Sequence, residues 1–190
     1  MNNKLILDNI LQAQDILIFL KKKYFLEKIK KTTKLIIKTL KNNNKILFCG
    51  NGGSASHSQH LATEFLVRFK KNRKAYSALS LNSDTSVITA IGNDYDFSKI
   101  FSRQVEGIGN KNDLLFVIST SGKSKNILEV IKVAKKKKLK IVLLSSIKAK
   151  KLKNLFDILI DIPCEKVERI QEAHLLVGHI ICGLVELELN

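Results

Sequence analysis

Apolar residues recur every three or four positions through the first part of the chain. Over 4–20 the set Leu5, Ile6, Ile10, Leu11, Ile16, Leu17 and Leu20 falls at helical spacing. Over 25–41 Phe25, Ile29, Thr32, Leu35, Ile36 and Leu40 repeat it, and the asparagines at 42–44 end this second helix. The pattern then changes. Short, continuously apolar runs, KILFCG at 45–50, AYSALSL at 75–81, DLLFVIS at 113–119, KIVLLS at 140–145 and FDILIDIP, alternate with stretches of helical period. These stretches predict a helix from about Ser56 to Arg68, helical pieces in SDTSVITAIG and DFSKIFSRQVEGIG, a helix in KNILEVIKVAKKKK, and a final helix from about Val167 to Leu189.

A strand that is apolar at nearly every position is covered on both faces, as in a parallel sheet with helices on each side. The fold class is therefore α/β: a doubly wound, five-stranded parallel sheet flanked by helices. The chain reads as one domain over 1–190, with a helical extension at 1–44 and the α/β core at 45–190. In such sheets ligands sit beyond the carboxyl ends of the strands. Two glycine- and serine-rich loops, after Cys49 and after Ser119, reach that edge.

Composition narrows the picture without changing it. With 190 residues and 45% hydrophobic content the chain has enough apolar material for a substantial core. No apolar run approaches the length of a membrane span, and the interrupted N-terminal helix does not resemble a signal peptide. The three cysteines, Cys49, Cys164 and Cys182, are far apart and suit a reducing cytoplasm. The net charge of +16 comes from lysines spread along the chain, and aromatic content is only 6%. No basic-aromatic platform for stacking bases is visible, so neither a nucleic-acid nor a membrane partner is expected.

The first stretch with chemistry in it is VISTSGKSKN at 117–126. Its Gly-Lys-Ser invites a nucleotide-binding P-loop, but that loop needs a glycine five positions before Gly122, where Val117 stands. What remains is Ser119, Thr120, Ser121 and Ser124 crowded between a strand and a helix. Hydroxyls beside free N–H groups at a helix N-terminus suit a phosphate monoester; a plain helix cap is the alternative. The second stretch is GNGGSASHSQHLATEF at 50–65. Gly50, Gly52 and Gly53 expose backbone to a ligand, but Ala55 interrupts the dinucleotide fingerprint. His60 and Glu64, one turn apart, form either half of a divalent-metal site or a surface hydrogen bond. In the last helix Gln171 and His179 lie eight residues apart, roughly 12 Å along the axis, amid apolar neighbours. They suit either a ligand site or a polar spot in a helix-packing interface.

Four segments together, CGNGGSASHSQHLATEF, AIGNDYDFSKIFSRQVEGIG, STSGKSKNILEVI and RIQEAHLLVGHIICGLVE, resemble the phosphoheptose isomerases of the sugar isomerase (SIS) fold, in order and approximate spacing. The resemblance implies sugar contacts at Asn51, Gly52, Gly53, Asn93 and Asp94. It implies phosphate contacts at Ser119, Thr120, Ser121 and Ser124. Zinc ligands, one ion per subunit, would be His60, Glu64, Gln171 and His179; Glu64 and Gln171 would also touch substrate. Proton transfer would fall to Glu64 and His179. A cytoplasmic homotetramer acting on a phosphorylated heptose is the implied assembly and substrate class. Non-catalytic SIS regulators, replication-initiator partners and isomerases of other phosphosugars share the fold, and fold alone does not separate them. Two departures from the family pattern stand out: Lys123 replaces an asparagine common in the serine loop, and 145–157 lacks the usual glycine-rich turn.

Overall fold

The computed structural model describes residues 2–189. Two helices, α1 (Asn3–Leu20) and α2 (Lys23–Lys41), precede β1 (Ile46–Gly50) and α3 (Gly53–Leu66). There follow β2 (Ala78–Ser80), α4 (Thr85–Asp94), α5 (Ser102–Ile108), β3 (Leu114–Ile118) and α6 (Lys125–Lys136). The chain ends with β4 (Lys140–Ser146), β5 (Ile158–Ile162) and α7 (Val167–Leu189). Single 3-10 segments, Phe97–Lys99 and Ile147–Leu155, fill the connections before α5 and before β5. The second occupies the stretch without the glycine-rich turn and buries Ala149 beneath it.

All five strands run parallel in the order β2-β1-β3-β4-β5. Every residue of β1 and β3 is buried, which is why their sequences carry no polar alternation. The pleat divides the core in two. Ile46 and Phe48 of β1, with Leu114, Phe116 and Ile118 of β3, face the side covered by α2, α3 and α7. Leu47, Cys49, Leu115 and Val117 face the side covered by α5 and α6. The first two helices belong to this architecture: Phe25, Ile29 and Ile36 of α2 are fully or nearly fully buried in the first core. Among the described residues α7 is the one helix long and apolar enough to cross a membrane, and half of its apolar window is buried within the protein.

Boundaries differ from the sequence reading in two instructive places. α3 starts at Gly53, three residues before the expected Ser56, because Gly52 takes φ +56° and turns the chain into the helix inside the glycine run. β2 is only Ala78–Ser80, since its ladder with β1 begins at the pair Ile46–Ala78 and Tyr76 before it donates to the Phe65 carbonyl of α3 instead (3.1 Å).

The topology locates a binding crevice. The chain leaves β1 to form β2 on one side, then returns to place β3 on the other side of β1. The loops after β1 and β3 therefore diverge, one into α3 on the first face and one into α6 on the second. Such a switch point opens a cleft at the carboxyl edge of the sheet.

Candidate active site at the carboxyl edge of β1 and β3

Gly50, at the end of β1, is packed too tightly for a side chain. A Cβ on Gly50 would come within 2.6 Å of the Ser54 carbonyl oxygen and 2.7 Å of that of Ile118. Asn82 brackets the same residue: Gly50 N–H donates to its Oδ1 (3.2 Å), and its Nδ2 donates to the Gly50 carbonyl (2.9 Å). α3 opens without a side-chain cap: its Ser54 and Ala55 N–H groups donate instead to the Asn51 (3.0 Å) and Gly52 (2.9 Å) carbonyls of the turn itself.

The serine loop opens a second uncapped helix. Gly122 takes φ +67°, and the Ser119 hydroxyl accepts the Gly122 N–H at 3.1 Å. The Ser121 hydroxyl accepts from Lys123 N–H at 3.2 Å, and the Thr120 carbonyl accepts the Ser146 hydroxyl at 2.8 Å. Ser124 is the N-cap residue of α6, yet its side chain makes no cap hydrogen bond. The plain-cap alternative for this serine therefore fails, and the helix presents free N–H groups beside hydroxyls. Lys123 is exposed to solvent.

Two reciprocal bonds join the glycine loop to the first turn of α6. Asn51 and Asn126 exchange amide hydrogen bonds, Asn51 Nδ2 to Asn126 Oδ1 at 2.9 Å and Asn126 Nδ2 to Asn51 Oδ1 at 2.8 Å. Asn126 is only 2% exposed. Sequence reasoning missed it; its signal was a polar residue on the first turn of a helix whose neighbours Ile127, Val130 and Ile131 point into the core.

The third component lies between α3 and α7. His60, Glu64 and His179 each offer a ligand atom, and these atoms all lie within 4.8 Å of one another. His60 Nε2 is 2.8 Å from His179 Nε2 and 3.4 Å from Glu64 Oε1. Burial first, and then the neighbouring His60, hold the His179 imidazole below its usual range, with Glu64 opposing. His57, one turn before His60, is also held low, by burial and then by His60 and His179. The chain has four histidines, and the remaining one, His174, is buried on the same helix as His179. Burial pushes it down to about 4, while its bond to the Ser145 carbonyl (Nε2, 3.2 Å) opposes the shift. His174 is thus neutral at physiological pH.

Gln171 borders the glycine loop rather than a remote interface: a Cβ on Gly53 would meet its Nε2 at 2.5 Å. Asn93 and Asp94 end α4, exposed; Asn93 Nδ2 donates to Asp94 Oδ1 at 2.8 Å. Among the described residues they make no hydrogen bond to the other candidate positions. Gln59 and Asn82, not singled out from sequence, are tied by a bond from Gln59 Nε2 to the Asn82 carbonyl (3.0 Å).

A family model described as the SIS domain matches residues 9–146. The phosphoheptose isomerase of Helicobacter pylori (strain P12) is 45% identical over 84% of this chain and 83% of its own length. This chain is a SIS-domain protein of the phosphoheptose isomerase family. The SIS relative named phosphoheptose isomerase in Nitratiruptor is 47% identical over 80% of the chain and 81% of its own. Among solved structures, a phosphoheptose isomerase from Francisella tularensis superposes with TM-score 0.93 at 32% identity, covering 98% of this chain and all, 100%, of that one. One from Neisseria gonorrhoeae gives 0.84 at 34%, covering 97% and 96%. The doubly wound α/β fold expected from the alternation of strands and helices is the fold found, and the SIS family implied by the motif resemblance is the family matched.

Proposed function

We propose that this chain is an aldose–ketose isomerase that interconverts sedoheptulose 7-phosphate and D-glycero-D-manno-heptose 7-phosphate, the entry step of ADP-heptose and lipopolysaccharide core heptose synthesis. The observation that carries the reading is the His60–Glu64–His179 cluster between α3 and α7, with α3 leaving the same sheet edge as the uncapped helix α6. A non-catalytic sugar-phosphate binder has no need for the cluster.

Each part has a task in this reaction. The phosphate binds the serine loop, where Ser119, Thr120, Ser121, Ser124 and the first N–H groups of α6 supply donors. Asn51, Gly52, Gly53, Asn93, Asp94 and Gln171 hold the sugar. Glu64 takes a proton from C1 of the open-chain ketose while O2 gains one, giving the enediol. The same carboxyl returns its proton to C2, and O1 loses one to become the aldehyde. His179 moves the balancing proton between the two oxygens.

The donor set fits a divalent metal: two imidazole nitrogens and a carboxylate oxygen converge, with the cluster open on one side because the His60 side chain is 44% exposed. His60, Glu64, Gln171 and His179 would hold zinc, one ion per subunit, which when bound supplies Lewis-acid polarisation of the substrate's adjacent oxygens. A nitrogen that holds metal carries no proton, so with Nε2 on the ion His179 would have Nδ1 for the proton transfer.

A homotetramer in the cytoplasm completes the reading. The exposed Leu5, Ile6, Ile10 and Leu17 of α1 line a groove of about 900 Å³ against Arg169 and Glu172, which supports assembly through this face. The buried or half-buried cysteines are all free thiols, in keeping with a reducing compartment.

The test is proton NMR of the purified protein with sedoheptulose 7-phosphate in D₂O, with and without a chelator. New anomeric signals of an aldoheptose phosphate, lost in Glu64→Gln, are expected. No turnover by folded, metal-loaded protein would sink the heptose assignment.

A further inference from the structure

The segment that follows α3 has no part in the reaction described above, yet it touches the site twice. Three consecutive backbone N–H groups, of Phe69, Lys70 and Lys71, donate to the carboxylate of Glu186 at 3.1, 2.9 and 3.0 Å. Arg73 Nε donates to the same carboxylate at 3.0 Å, and both side chains are almost wholly buried (2% and 3% exposed). A carboxylate that gathers backbone N–H groups in this way fixes the conformation of the segment supplying them. The Arg73 guanidinium reaches on to the end of α3, donating to the Glu64 carbonyl at 2.7 Å and the Phe65 carbonyl at 2.9 Å. Both carbonyls lack intrahelical partners at that helix end, and the Phe65 carbonyl also accepts the Tyr76 N–H at 3.1 Å. Its other face lies over the Tyr76 ring at 3.9 Å.

The outcome of this clamp is the placement of one aromatic ring. Phe69 stacks on the His179 imidazole, with centroids 5.5 Å apart and planes 26° from parallel. The opposing contact is His60, edge-on at 5.0 Å and 68°. Glu186 stands seven residues after His179, two turns along the same face of α7. Gly183 lies between them, and its Cβ position would already be 3.4 Å from the Phe69 ring, so the helix leaves room for that ring. One helix therefore carries both the imidazole and the carboxylate that anchors its stacking partner.

We infer that Phe69, held by Glu186 and Arg73, is a positioning residue that fixes the ring rotation of His179 so that Nε2 faces His60. An imidazole on a helix turns about its last side-chain torsion over a broad range unless its faces are contacted. Phe69 on one face fixes the plane of the ring, and the 2.8 Å approach of His60 Nε2 selects the flip that turns Nε2 toward it. The proposal rests on the site reading above for its kinetic consequence, but not for the geometry itself.

The experiment compares wild type, Phe69→Leu and Phe69→Tyr. The His179 ring protons are observed by NMR, and kcat and KM for sedoheptulose 7-phosphate are measured separately. In wild type the His179 ring protons carry the upfield ring-current shift of a stacked phenyl. In Phe69→Leu that shift disappears and kcat falls about tenfold, the size of a misplaced catalytic ring, with KM within about twofold. Phe69→Tyr keeps the ring and restores both. Should Phe69→Leu fail to fold, Glu186→Gln is read in its place; it weakens the anchor, and the His179 shift diminishes. An unchanged His179 shift in Phe69→Leu, or a kcat within about twofold of wild type, overturns the proposal. The NMR comparison needs no substrate, so it decides the geometry even if the chain turns over a different phosphosugar.

Discussion

His60 Nε2 and His179 Nε2 face each other at 2.8 Å, although 119 residues separate them in the chain. Two imidazoles brought nitrogen to nitrogen share either a proton or a cation. With Glu64 Oε1 3.4 Å from His60 Nε2, the second arrangement is open to a divalent ion. Isothermal titration of chelator-treated protein with Zn²⁺ is expected to give one ion per chain. His60→Ala should weaken binding by roughly tenfold or more, since even an outer-shell partner contributes that much. Chelation should abolish turnover, and added Zn²⁺ should restore it.

The reciprocal bonds between Asn51 and Asn126 tie the glycine loop to the first turn of α6. Asn126→Ala leaves the Asn51 amide without its partner and is expected to cost about 1–2 kcal/mol of stability. Its effect on kcat/KM should vanish once Asn51 is already alanine, because the residue acts through that pair. Urea titration and a double-mutant cycle measure the two effects; additive losses in kcat/KM would break the link.

Gly53→Ala separates stability from activity. The added Cβ would meet the end of the Gln171 side chain at 2.5 Å, and the amide of a flexible side chain can swing away. The melting temperature should stay close to that of wild type. Displacing Gln171 from the loop should lower kcat/KM by between about tenfold and a hundredfold. Steady-state kinetics beside a thermal melt decides it, and an undiminished kcat/KM removes Gln171 from the site.

His174 predicts an acid-sensitive fold. Its folded value is pushed down to about 4 by burial, below the 6.5 of the unfolded chain. Above 6.5 both states are neutral there and no penalty arises. As pH falls from 6.5 to 4 the unfolded chain takes up a proton that the folded protein refuses, so stability is lost, by about 3 kcal/mol from this group. Below about 4 the loss levels off. Urea midpoints at pH 7.5 and 4.5 should differ less in His174→Gln, which has nothing to titrate at that position; equal differences would place the sensitivity elsewhere.

Local pattern determined most of the architecture. Apolar runs such as ILFCG and LLFVI are legible as doubly covered strands because both faces are buried, and the period of α7 was readable end to end. The serine cluster could be read as an anion site, since hydroxyls ahead of a helix carry that chemistry in their spacing. The His60–Glu64 pair was visible as a helical i, i+4 match.

Only the tertiary structure decided which polar residues meet. Gln171 and His179 on a mostly apolar helix fit packing and ligation equally until α7 was set against α3, bringing His179 to His60 and Gln171 to Gly53. The start of α3 depended on Gly52 taking a positive φ, a choice that glycine permits but does not dictate. Asn126 left only a faint trace in the sequence, and Asn82 and the Phe69–Glu186 contact left none. Hydrophobic periodicity fixes which face of an element is buried, whereas a hydrogen bond between distant loops depends on how those faces are stacked. The chain wrote its own elements and core; the meeting of strand ends at the β1–β3 switch assembled the site.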